Sequence, residues 1–159
     1  MEILDSVYVD LLLDEALDLV QRTIDYTDDQ GRIDRALADT AANAAFVAES
    51  SRHSTRLMQI VAWLFAQRAV YEGEMTPEEG LAKENRLGSK GICLSPPVKG
   101  WDGLHPDFRS LLVEGEDLYL RICRLDDHYA GKGHKSPVHE LLSGLSGSFP
   151  GTDKAVNDD

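Results

Sequence analysis

The chain has 159 residues, enough to bury one sizeable core, with 28 acidic against 16 basic residues and a net charge of −12. That balance argues against nucleic acid and anionic membrane surfaces, both of which call for a basic footprint. The two cysteines, Cys93 and Cys123, have neither CxxC nor metal-ligand spacing and read as reduced thiols of a cytoplasmic protein. The acidic N-terminus lacks the basic region of a signal peptide, and Leu57–Ala66 falls far short of the ~20 apolar residues of a membrane span.

Helical periodicity runs throughout, and no strand pair is evident. A first helix is expected over about 5–30. Val9, Leu12, Leu13, Ala16, Leu17, Val20, Thr23, Ile24 and Thr27 share one face, and Gly31 is a plausible stop. Nine acids and a single base, Arg22, fall within the first thirty residues. Asp10, Asp14, Asp18 and Asp25 form an acidic face, which costs ~0.2–0.5 kcal/mol for each like-charged i, i+4 pair. It reads either as a docking face for a basic partner or as a solvated surface.

A second helix is expected over about 35–72. Small residues recur at heptad spacing (Ala41, Ala44, Ala48, Ser51, Thr55, Met58, Ala62, Phe65, Ala69), a seam that lets neighbouring helices approach closely. On a helical wheel, Leu57, Met58, Val61, Leu64 and Phe65 point to the core. Arg52, Arg56, Gln59, Trp63 and Gln67 form a polar stripe on another side. Arginine and tryptophan are enriched at interface hot spots, so this stripe reads as a partner-binding site or dimer interface, or as core covered by a further helix. Arg68 falls among apolar positions and calls for a carboxylate such as Glu114 or Glu116. Gly73 ends the helix.

Thr76-Pro77-Glu78-Glu79 carries a capping box that opens a short helix over 77–87. Glycines and Pro96-Pro97 make 88–103 a loop. A last helix is expected over about 105–130. From Gly131 the composition turns to Gly, Ser, Pro, Lys and Asp, which reads as a flexible tail over 131–159 with one weak apolar turn at 138–145. The expected fold is all-α: an antiparallel three-helix bundle with a short extra helix and a disordered C-terminal tail.

Glu49 and His53 stand at i, i+4 and occur once, whereas helical di-metal sites use Glu-x-x-His twice. The pair reads as solvated. His128 sits near a helix end favourable to a cation. His134 and His139 lie in the tail, and no serine or glycine motif marks a nucleophile or a phosphate loop. The residues indicate no catalytic, cofactor-binding or metal site, and no cofactor.

Glu49-Ser50 with Arg52, Thr55-Arg56-Leu57-Met58-Gln59, Trp63-Leu64, Gln67-Arg68-Ala69-Val70 and Glu72-Gly73-Glu74-Met75-Thr76 resemble the alphaproteobacterial regulator-of-CtrA-degradation (RcdA) family, a DUF1465-type domain. Leu118-Tyr119, Ile122 and Arg124-Leu125-Asp126 agree with it, and the likeness covers about residues 8–130. His53-Ser54 departs from it, standing where an apolar residue and a threonine are expected. The resemblance implies a non-enzymatic, homodimeric three-helix bundle. It implies an adaptor that delivers regulatory substrates to the ClpXP protease in cell-cycle control, after a response regulator has primed the ClpX unfoldase, with a place at the cell pole. Two other readings stand beside it: a helical-bundle metal-binding protein or enzyme, and an interaction domain unrelated to proteolysis.

Overall fold

The computed structural model describes residues 5–133: of the expected tail, 131–133 instead continue the last helix, and the rest, with His134 and His139, lies outside the described residues. The order is α1 (Ser6–Asp28), α2 (Gln30–Leu37), α3 (Thr40–Tyr71), α4 (Pro77–Gly80), a 3-10 turn (Lys83–Asn85), α5 (Lys90–Cys93), a second 3-10 turn (Trp101–Gly103) and α6 (Pro106–Gly133). No strand occurs among the described residues.

Local chemistry sets the ends. Asp5 caps α1 through Val7 N, and Asp39 caps α3 through Ala42 N at 2.8 Å. At the far end of α3, Gly73 takes the left-handed conformation (φ 78°). Glu74 N then donates to Ala69 O and Gly73 N to Val70 O, the paired bonds of a Schellman stop. The Thr76 hydroxyl accepts from Glu79 N and the Glu79 carboxylate from Thr76 N, completing the capping box. The helix it opens lasts only to Gly80, not to 87. Beyond it, Asn85 donates to Glu79 O and the chain tightens into a 3-10 turn.

Between the first two long helices the structure differs from the expectation. α1 stops at Asp29, and the separate helix α2 intervenes before α3. Gly31 is not a helix stop. It is buried inside α2, where a Cβ would lie 2.9 Å from Tyr26 O, so a close approach of backbones selects glycine. Tyr26 OH donates to Asp34, tying α2 back to α1.

Three long helices form the bundle. Thr23 meets His53 and Asp10 meets Tyr71, so α1 runs antiparallel to α3. Tyr26 stacks on Phe108, and Arg121 pairs with Glu15, so α1 is antiparallel to α6 as well. Phe46 packs on Phe108 while Trp63 bonds Asp126, so α3 and α6 point the same way. Parallel neighbours need a long connection. Residues 72–105 provide it, as a crossover lying along α3. The core comprises Val9, Leu12, Leu13, Ala16 and Leu19 of α1, Ile60 and Leu64 of α3, and Phe108, Leu112, Leu118 and Ile122 of α6.

The small-residue seam of α3 does not pack inside the bundle. Ala41, Ala44, Ala48, Ser51, Met58, Ala62 and Phe65 are exposed, with Met58 at 65% and Phe65 at 51%. Leu57 and Leu64 are buried, but Met58 and Phe65 do not face the core. α1 and α6 occupy one sector of α3 and the crossover another, and no other element among the described residues covers this third sector. On α1, Leu17 and Ile24 are exposed for the same reason.

His53 is wholly buried where the three helices meet. Thr23 Oγ1 donates its one proton to Leu19 O at 2.7 Å, so His53 Nε2, 3.0 Å away, must donate to that hydroxyl. Nδ1 is then a bare acceptor, buried and unpartnered against Gly115. Burial, and secondarily the Arg56 charge, lowers the His53 pKa from 6.5 to about 4, with Glu114 opposing. The unfolded chain therefore takes up this proton first. The contribution to stability is full above pH 6.5 and is lost as pH falls from 6.5 to about 4. Urea titrations should show a loss on the order of 3 kcal/mol across that window beyond the loss in a His53→Leu variant. Equal losses in both proteins would remove the role of His53.

Candidate functional site

The polar stripe of α3 lies beneath the crossover. Arg56 is 1% exposed, Trp63 2% and Arg52 8%, while Gln59 and Gln67 are half-buried. The stripe is therefore not an open edge; the cover over Trp63 comes from within the chain. Glu49 and His53 are not a solvated pair: both are buried, Glu49 turning to Val98 N and Arg52 and His53 to Thr23.

What the stripe does is read the backbone of the crossover. Arg56 Nε donates to Cys93 O at 2.9 Å and its Nη2 to Glu116 Oε2 at 3.0 Å. Arg52 Nη1 donates to Ser95 O at 3.2 Å. The Glu49 carboxylate accepts from Val98 N, and Gln59 Oε1 from Gly88 N, both at 2.9 Å. From α6, Tyr119 OH donates to Gly88 O at 2.6 Å. A Cβ on Gly88 would come within 2.9 Å of Gln59 Oε1, so the close approach favours glycine. Asp126, also buried, accepts from Trp63 Nε1 at 2.9 Å and from Arg86 Nε at 2.7 Å, joining α3, α6 and the crossover at one oxygen. Lys90 and Arg86 reach Asp127 beside it.

Sequence reasoning missed Glu49, Arg86, Tyr119 and Asp126 as members of this set. The one available signal was the company of Arg52 and Arg56 with glutamines, donors and acceptors suited to peptide groups. Arg68 is not buried: it pairs with Glu72 at 2.9 Å, while Glu116 serves Arg56 and Glu114 serves Arg22. His128 is exposed within α6, edge-on to Tyr129. Burial raises the pKa of both Cys93 and Cys123, disfavouring the reactive thiolates.

Two of the open surfaces lie along α1. Asp10, Asp14, Asp18 and Asp25 are all exposed; Asp18 pairs with Arg22, Asp10 accepts from Tyr71 OH and Asp25 from Gln21 Nε2. Beside them, between α1 and α3, runs a groove of about 560 Å³ with an apolar lining that includes Leu17, Val20, Ile24, Met58, Val61 and Phe65. Among the described residues no group of three or more His, Cys, Asp or Glu is placed to hold a metal ion. No helix among them is long and apolar enough to cross a membrane.

The fold and its surfaces define an all-α bundle whose polar cluster performs a structural task and whose open faces suit contact with other molecules. The chain belongs to the DUF1465 family, described as proteins of unknown function, whose model matches residues 1–149. Among solved structures it is similar to RcdA from Caulobacter crescentus CB15, with 32% identity over 83% of this chain and 94% of that one, and a TM-score of 0.63. No curated protein matches the sequence.

Asp126 fastens the cover to both α3 and α6 at its Arg86 end. Asp126→Ala should destabilise the fold by about 2–3 kcal/mol, since it strands the buried Trp63 donor and leaves Arg86 only its exposed partner Asp127. Hydrogen exchange should show residues 83–98 opening more than α1. Uniform loss of protection instead would mean that Asp126 serves the bundle as a whole.

Proposed function

We propose that this chain is a non-enzymatic adaptor in regulated proteolysis, delivering regulatory proteins to the ClpXP protease in cell-cycle control and acting as a homodimer. The observation that carries the reading is the relationship to RcdA across 83% of the chain at 32% identity. The geometry accords with it. Glu49, Arg52, Arg56 and Gln59 are occupied in holding the crossover, while apolar side chains stand exposed on α1 and α3. An adaptor works by tethering, which raises local substrate concentration and needs open faces on a firm scaffold.

For the homodimer we favour the corner of α2 and α3. Leu37 is 82% exposed there, Val47 is exposed, and Ala41, Ala44 and Ala48 offer a smooth helix surface. Leu37→Asp with Val47→Asp should halve the mass measured by light scattering while preserving the helical signal. An unchanged mass would move the interface elsewhere, and a monomeric parent protein would remove the homodimer from the proposal.

The adaptor role is tested by capture from native cytoplasm with the full chain as bait. Retention of the ClpX unfoldase with a response regulator and substrate proteins is expected, with those substrates persisting longer when the gene is deleted. Absence of ClpX from the captured set, with substrate lifetimes unchanged, would reject it.

A further inference from the structure

We infer that the groove between α1 and α3 is a docking site for a basic amphipathic helix of a partner protein. The apolar floor is the first observation. Leu17 and Ile24 on α1 and Met58 and Phe65 on α3 are exposed, and Val20 and Val61 lie half-buried between them. The lined stretch of α3 from Ser54 to Phe65 spans ~17 Å, about three helical turns. That length takes the i, i+3/i+4 and i+7 anchors by which amphipathic helices seat in grooves.

The second observation is the charge beside it. At ~100° per residue, Asp10, Asp28, Gln21 and Asp14 follow Leu17 around α1 within ~20–60°, so an acidic wall borders the groove on its α1 side. The only base on the outer turns of α1, Arg22, is drawn away by Glu114 towards α6. At the end of the groove, Arg68 is matched by Glu72. On the α3 side the neighbours are Ser51, Thr55 and Ala69, which carry no charge. A helix with an apolar face and lysines or arginines along one flank satisfies both the floor and the wall. A second copy of this chain fits less well, because it brings the same acidic α1 wall against this one.

The inference does not rest on the link to proteolysis, and its test contains no protease. The full chain is titrated into two labelled synthetic helical peptides with identical leucine anchors, one flanked by lysines and the other by glutamates, and fluorescence anisotropy reads binding. The lysine peptide should bind at least tenfold tighter at low ionic strength, with the difference shrinking in 1 M salt, where the Debye length is about 3 Å. Met58→Ser with Phe65→Ser, both at exposed positions, should weaken the lysine peptide at least tenfold. Asp14→Asn with Asp28→Asn should bring the two peptides within about threefold of each other. Absence of binding, equal binding of the two peptides, or indifference to Met58→Ser with Phe65→Ser would overturn the inference. So would a halving of the protein's mass in that variant, which would place a second copy in the groove.

Discussion

The buried guanidinium of Arg56 is the constraint around which the rest of the structure is arranged. A charge taken out of water is tolerated only when its donors are matched, and here Cys93 O and Glu116 match them from two directions. One partner belongs to the crossover and the other to α6. Arg56 therefore holds the crossover and the third helix against α3 together. The same logic extends along the stripe, where Glu49, Arg52 and Gln59 take up backbone groups that a buried connection would otherwise leave bare.

This arrangement explains how α3 and α6 lie parallel. A three-helix bundle with short loops would alternate in direction, and a parallel pair needs a connection as long as the helix itself. Such a segment has little regular structure of its own, as α4, α5 and the two 3-10 turns show. Side chains must supply the hydrogen bonds that its backbone cannot make internally. Asp126 secures the same segment where it crosses towards α6, with Trp63 as a second donor. Once one flank of α3 is committed to the bundle and another to this cover, nothing among the described residues is left to pack against the remaining sector.

The helical class, the capping box at Thr76, the stop at Gly73 and the long helices were legible because each depends on local periodicity or turn chemistry. The family was legible in the dense run from Glu49 to Thr76. What could not be read was which face of α3 met what. A wheel locates stripes but does not number the neighbours, and the polar stripe looked like an edge because burial of two arginines is rare. The partners that make it affordable, Glu116, Tyr119 and Asp126, are distant in sequence and adjacent only through the parallel α3–α6 order. Likewise Met58 and Phe65 share a helix face with alanines in a pattern typical of a bundle seam, and only the position of α1 leaves them outside.

The exposed sector and the acidic wall of α1 are each unfavourable for an isolated molecule. Apolar side chains left in water forgo about 25 cal/mol for every Å² that burial would cover. Aspartates one turn apart on a helix repel, and Asp25 and Asp28 oppose the dipole at its C-terminal end. A single such feature is ordinary surface variation. Here the two run side by side on one edge of the bundle, the edge that the crossover leaves bare. The chain elsewhere covers its buried charges with care: Glu49, Arg52 and Arg56 each have a partner. The fold thus divides α3 between a flank whose buried charges are paired with the crossover and a flank where apolar residues stand in the open beside the acidic face of α1, the first setting the shape of the molecule and the second left out of its packing.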